Sequence, residues 1–457
     1  MSLSVRPTGG SWSRPLLLVL VLLAGVAAGA STLKAQSEEA SPNVVVLFAD
    51  DMGYGDLSSY GHPTIETPHL DSLAEQGTRF TSFVTGAWCV PSRTQLLTGR
   101  YMPRVDFGGG TGANGTGGLP GSERTLAEAL GAAGYTTGMA GKWHLGHAED
   151  RFLPPNQGFD SWFGLPYSND YKKPWVQTDV PLALYRGTEV VEHPVDQNTL
   201  TTRYTEEAVS FIEEQAGGDR PFFFYLAYNM PHLPIHTTER FRGQSEAGLY
   251  GDVIETIDWS VGQVLAALEA QGAAENTIVF FASDNGPWLN LPARMRQAGN
   301  KPWHAGSPGP LRGWKHTSYE GGGRVPAMIR WPGRVEAGVD TDALVASPDI
   351  YRTLVEAAGA ELPDHPVDGH DLMPFLSGQT EESPRERYYY FLDGGLEAMR
   401  EGRWKLRVAG DTTQLFDLQN DPAERFNRAS GHPERVEAMR AQMKAFADSV
   451  GVSVTEE

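Results

Sequence analysis

Residues 89–100 read Cys-Val-Pro-Ser-Arg-Thr-Gln-Leu-Leu-Thr-Gly-Arg and hold the only cysteine of a 457-residue chain. A lone thiol can form neither an intramolecular disulfide nor a multi-cysteine metal site, so Cys89 is either a small buried hydrophobe or a reagent. Arg93, four residues on, could hold an anionic reaction centre beside it. A thiol-phosphatase loop is excluded, because that loop carries arginine six positions after its cysteine and this chain has Gln95 there. Leu96 and Leu97 extend a helical turn that Thr98-Gly99-Arg100 ends.

Two pairs of hard oxygen donors stand at matching places. Asp50-Asp51 follows the apolar run 43–48, and Asp284-Asn285 follows the run 276–281. Each run reads as a fully buried parallel strand, and open α/β sheets bind their ligands beyond the C-terminal ends of such strands. One such pair alone is more economically a turn or helix cap. Two pairs on two buried strands point instead to one cation of the Ca²⁺ or Mg²⁺ kind. Lys142 and His144 alternate along 141–146, which on an extended segment turns both to one face. His232 follows a further apolar run, 221–228, and Lys315 lies in Leu-Arg-Gly-Trp-Lys-His-Thr at 311–317. Each of these four could equally be an ordinary structural or surface residue.

The stretch 89–100 resembles the signature C-x-P-S-R-x-x-L-L-T-G-R of formylglycine-dependent sulfatases of the arylsulfatase type at every defined position. The segment 134–146, Gly-Tyr-Thr-Thr-Gly-Met-Ala-Gly-Lys-Trp-His-Leu-Gly, resembles that family's second signature. The resemblance covers roughly 42–429. It implies that Cys89 is oxidised to formylglycine by a formylglycine-generating enzyme, and that the hydrated aldehyde attacks sulfur. A covalent sulfo-enzyme intermediate follows and breaks down by elimination. It implies one Ca²⁺, with Mg²⁺ the lesser alternative, held by Asp50, Asp51, Asp284, Asn285 and the oxygen at position 89. Arg93 and Lys142 would serve the modified residue, and Lys142, Lys315 and His232 would grip sulfate. His232 or Lys315 would protonate the leaving alcohol, and His144 would move the proton that releases sulfate. Ser168, in Leu-Pro-Tyr-Ser-Asn-Asp, resembles an active-site serine of arylsulfatases.

Those residues need a scaffold. Helical patterns at 67–76, 125–133, 198–215 and 250–271 alternate with strand-like runs, which means an α/β sheet covered on both faces. The family resemblance makes the expected fold alkaline-phosphatase-like: a mixed, largely parallel sheet between helices. From about 381 the texture changes to short strands at 388–392, 397–401, 404–408 and 414–417, then an amphipathic helix from about 433 to 449, a small α+β subdomain. The expected organisation is a catalytic domain at 42–380 and a C-terminal subdomain at 381–457. The glycine-rich stretch 108–121 contains a G-x-G-x-x-G string, but no strand leads into it and no helix leaves it, so dinucleotide binding is rejected. Gly141-Lys142 fails as a P-loop, since 136 is Thr and 143 is Trp.

Arg6 and Arg14, the apolar run 16–26 and Ala28-Gly29-Ala30 read as a secretory signal peptide at 1–30, followed by a polar tail at 31–41. The apolar run is too short for a spanning helix, so export to a bacterial periplasm or medium is expected, without a stable membrane anchor. A net charge of −20 disfavours nucleic acid and anionic surfaces as partners. An anionic substrate must therefore meet a local positive pocket. The expected substrate is a sulfated carbohydrate or other small sulfate ester. Rival readings are a phosphonate monoester or phosphodiester hydrolase of the same superfamily, and a non-catalytic binder of sulfated glycans. Trp175, Trp288, Trp303 and Trp314 lie in or beside the rim segments 103–121, 168–200 and 288–314, where they could stack on sugar rings or simply anchor loops.

Overall fold

The computed structural model describes residues 41–455. The leader expected at 1–30 and most of the tail expected after it lie outside the described residues.

The strand Asn43–Ala49 forms the middle of a ten-stranded sheet. Its sequence, Asn-Val-Val-Val-Leu-Phe-Ala, is buried at every position after the first, as a strand covered on both faces must be. Alternate side chains enter different cores. Val45, Leu47 and Ala49 pack with the helices Pro68–Glu75, Leu200–Gln215 and Gly248–Ala270. Val44, Val46 and Phe48 pack with Cys89–Thr98, Leu126–Ala132 and Ser347–Ala357. Phe222–Ala227 and Thr277–Ser283 flank the central strand, both parallel to it, and Thr136–Gly141 and then Ser161–Gly164 continue the parallel run beyond Phe222–Ala227. All of these strands therefore end at the same edge of the sheet.

Antiparallel pairing begins outside that parallel centre. Ala327–Arg330 runs against Thr277–Ser283 and against the short strand Thr78–Phe80. At the other edge, Leu184–Arg186 and Glu189–Glu192 make a hairpin inside the segment read as a rim loop. The C-terminal strands Arg387–Leu392, Gly395–Glu401, Trp404–Ala409 and Thr412–Asp417 form a four-stranded antiparallel meander. The helix Pro433–Val450 covers it through Met439, Met443 and Ala447. The mixed α/β class and the small C-terminal subdomain are as the sequence implied.

Candidate active site

Four of the five strands of the parallel centre deliver a site residue past their C-terminal ends. Asp50 and Asp51 follow Asn43–Ala49, Lys142 follows Thr136–Gly141, and Asp284 and Asn285 follow Thr277–Ser283. His232 lies five residues beyond Phe222–Ala227. Cys89 is the first residue of the helix Cys89–Thr98, where the unpaired N–H groups favour negative charge, and Arg93 lies one turn further along.

These residues meet. Cys89 Sγ lies 3.3 Å from Asp50 Oδ1, 3.5 Å from Lys142 Nζ and 3.3 Å from Lys315 Nζ. Lys142 also donates to Asp50 Oδ2, and Lys315 donates to Asp51 Oδ1 at 2.6 Å. Arg93 is fully buried; its guanidinium donates to Asp284 Oδ2 at 3.0 Å and to the Lys142 carbonyl at 2.9 Å. The backbone N–H of Asp51 donates to Asp284 Oδ1 at 3.0 Å, and Asn285 Nδ2 donates to Asp51 Oδ1 at 2.7 Å. Asp51 adopts φ 67°, a left-handed turn that brings both of the adjacent acids to one point.

His232 is held on its Nδ1 side by Asn169 Oδ1 at 3.0 Å and by the Leu233 carbonyl at 2.7 Å. Both partners accept, so Nδ1 carries hydrogen, and Nε2 faces Asp51 Oδ2 at 3.7 Å and Ser168 Oγ at 3.5 Å. His144 reaches its place differently from the sequence expectation. The strand ends at Gly141 and His144 has φ 62°, so a left-handed turn, and not alternation along an extended segment, sets its direction. Its Nε2 lies 2.9 Å from Tyr171 Oη, while its Nδ1 is buried without a hydrogen-bond partner among the described residues.

The electrostatics follow from burying three carboxylates among three cations. Burial alone would raise the Asp50 carboxyl, but Lys142, His232, Arg93 and Lys315 hold it well below the usual range. Asp284 is pushed up to about 7, first by burial and next by the Asp50 charge. The Cys89 thiol is pushed well up by burial and by Asp284 and Asp50, against the pull of Lys142 and Lys315. Position 89 as cysteine is thus a protonated thiol, the wrong species for nucleophilic attack. Burial lowers both histidines, with Lys142 adding to the effect on His144 and Lys315 to that on His232.

The donor set fits a hard divalent cation. Asp51 Oδ2 and Asn285 Oδ1 are buried oxygens with no hydrogen-bond partner among the described residues, an arrangement that costs roughly 1–3 kcal/mol per group unless something binds there. Asp50, Asp51, Cys89 and His232 bring ligand atoms within 4.8 Å of one another. Carboxylate and amide oxygens suit Ca²⁺ or Mg²⁺.

Residues 42–360 match the sulfatase family profile, and residues 313–449 match the profile described as N-sulphoglucosamine sulphohydrolase, C-terminal. The chain belongs to the sulfatase family. Human arylsulfatase A is 37% identical over 96% of this chain and 92% of its own length. N-acetylgalactosamine-6-sulfatase from Mus musculus is 38% identical over 91% and 85%. Among solved structures, Ps i-CgsB in complex with k-i-k-neocarrahexaose superposes with a TM-score of 0.76 at 28% identity, over 89% of this chain and 93% of that one. This sulfatase is accordingly a sulfuric ester hydrolase with an alkaline-phosphatase-like fold.

Two contributors to the sulfatase site escaped the sequence reading. Asn169 fixes the His232 ring, and Tyr171 meets His144. Both sit in the Ser168-Asn169-Asp170-Tyr171 run, and the proximity of the Ser168 signal was the one available hint. Asn229, fully buried with both amide atoms unpartnered among the described residues, also lies in the turn that leads to His232.

Proposed function

We propose that the enzyme hydrolyses sulfate esters of carbohydrates, using Cys89 matured to formylglycine and one Ca²⁺ held by Asp50, Asp51, Asp284, Asn285 and the oxygen at position 89. The observation that carries this reading is the pair of orphaned oxygens, Asp51 Oδ2 and Asn285 Oδ1, beside a cysteine flanked by two lysines. The proposed substrate class is supported by the sulfated-sugar names of relatives such as N-acetylgalactosamine-6-sulfatase. When in place, the hydrated aldehyde supplies a geminal diol and the cation lowers the pKa of its hydroxyl.

The chain's own residues do the rest. The carboxylates of Asp50, Asp51 and Asp284 balance the charges of Arg93, Lys142 and Lys315. A divalent cation leaves the pocket net positive, so an acidic protein can still accept an anionic ester. Lys142 and Lys315 flank position 89 and bind the non-bridging sulfate oxygens, where charge grows at the transition state. Burial opposes the Lys315 charge, but Asp51 and its neighbours raise that ammonium well above its usual range, so it enters the reaction protonated. Lys315 Nζ is therefore the donor for the leaving oxygen. His232 Nε2 and Ser168 Oγ orient the ester. His144, neutral, takes a proton from position 89 at Nδ1, the atom left without a partner.

Export is part of the same proposal. Among the described residues no helix is long and apolar enough to cross a membrane. The test is production with and without a formylglycine-generating enzyme, peptide mass spectrometry across residue 89, and turnover of 4-nitrophenyl sulfate against bis-4-nitrophenyl phosphate. Activity on the sulfate that tracks conversion of Cys89 supports the reading. Preference for the phosphodiester establishes the rival hydrolase, and binding of sulfated glycan without sulfate release establishes a lectin-like role.

A further inference from the structure

The residues directly beside Cys89 and Lys315 form a second feature. Trp88 precedes the cysteine and His316 follows the lysine, and their rings stack face to face with centroids 5.0 Å apart and planes 7° from parallel. Trp88 is half-buried and His316 is exposed. The His316 backbone N–H donates to the Ala87 carbonyl at 2.8 Å, so the two segments are already tied together without the rings. His316 also holds φ 64°, a left-handed conformation in which glycine would be relaxed and an imidazole is strained. Strain of this kind at an exposed residue next to Lys315 points to a use for the side chain.

We propose that the Trp88–His316 pair is a stacking platform that receives the flat face of a six-membered ring bearing the sulfate, and so selects ring esters over acyclic ones. The proposal rests on the sulfatase reading of the adjoining pocket. Lys315 Nζ lies 3.3 Å from the Cys89 sulfur, and on this proposal the alcohol of a sulfate held there extends to the outer face of His316, with Trp88 stacked behind it. Pyranose rings present an axial C–H face and aryl rings a π-face, and both pack on indole and imidazole. Trp288 has its ring 5.1 Å from the Lys315 ammonium and 5.4 Å from the His232 ring. That tryptophan packs against the core and shapes the sulfate pocket, which leaves the exposed pair as the surface for the alcohol.

The test uses the full chain with Cys89→Ala, loaded with Ca²⁺, so that binding is read without turnover or maturation. Calorimetry gives Kd for 4-nitrophenyl sulfate, galactose 6-sulfate and methyl sulfate, before and after His316→Gly and Trp88→Ala. We expect binding of at least one ring ester to weaken about tenfold, with methyl sulfate held within about twofold and the unfolding temperature not lowered by His316→Gly. The arm that weakens identifies the ring as aryl or sugar. Because glycine suits the backbone at 316, that variant carries the test even if Trp88→Ala fails to fold. Unchanged ring-ester binding, equal weakening of methyl sulfate, or ring esters that bind no better than methyl sulfate at the outset would each overturn the platform. A matured wild-type chain that cleaves no sulfate ester would count against the proposed function, while leaving the binding comparison intact.

Discussion

Lys405, carried by the C-terminal sheet, places its ammonium 2.9 Å from Glu320 Oε1, and neither side chain has any exposure. Glu320 opens the short helix Glu320–Gly323, five residues after Lys315. It also accepts from Tyr390 Oη at 2.7 Å and pairs with Arg400 at 3.4 Å and Arg324 at 3.5 Å. Gly286, next to Asn285, donates its N–H to the Gly322 carbonyl at 3.0 Å. The C-terminal sheet thus grips the loop that presents Lys315, and through it the turn that presents Asp284 and Asn285.

Replacing Lys405 with methionine leaves a buried carboxylate short of its main partner, so we expect a loss of about 3–5 kcal/mol in denaturant unfolding. The pH dependence has a definite sign. Burial would raise the Glu320 carboxyl, but Lys405, Arg400 and Arg324 hold it well below the usual range. A folded-state value below the unfolded one gives stability that is present above roughly pH 4.3 and lost as pH falls through and below it. Glu320→Gln should flatten that acid limb in a stability-against-pH series.

Cation binding should strengthen with pH. In the metal-free site Asp284 is pushed up to about 7, so a cation must displace a proton below that pH. The raised value means that the metal-free protein loses stability as pH climbs from the unfolded carboxylate range through 7. The rise in melting temperature on adding Ca²⁺ to chelator-treated enzyme should therefore be larger at pH 8 than at pH 6. Asn285→Ala should reduce that rise at both.

An unmatured Cys89 should resist alkylation. The thiol is 3% exposed and its ionisation is disfavoured by burial and by Asp284 and Asp50. Iodoacetamide at pH 8 should leave native protein unmodified and label denatured protein fully, as read by intact mass. Rapid labelling of the native state would contradict the buried, protonated thiol.

Lys315→Ala removes the charged donor 2.6 Å from Asp51. In matured enzyme we expect kcat/KM for 4-nitrophenyl sulfate to fall about 10²–10³-fold, measured against the matured fraction from mass spectrometry. A fall below tenfold would move the role of acid to His232.

The sequence made the centre of the molecule legible because its strands are buried on both faces. Runs such as Val44–Phe48 and 278–282 have no polar interruption, and the polar residues begin where the strands end. That abrupt change placed Asp50, Asp51, Asp284 and Asn285 correctly at one sheet edge. The flanking strands Thr78–Phe80 and Ala327–Arg330 span three and four residues, too short for a period to register, and their antiparallel pairing depends on distant partners. The hairpin at 184–192 was read as loop because its outer strand is largely exposed. Side-chain direction was the least legible layer. The left-handed turns at Asp51, His144 and His316 occur at non-glycine residues, where no local signal announces them, and the meeting of His144 with Tyr171 depends on that turn.

All ten residues of the helix that begins at Cys89 are buried, Arg93 and Thr94 completely. Under the proposed maturation an oxidising enzyme would need access to this cysteine, and the native fold buries it. On that proposal folding and oxidation would compete for one nascent segment, and a molecule that folded first would keep a buried thiol. The fraction of active enzyme in a preparation would then be a clock for how long that segment stayed open.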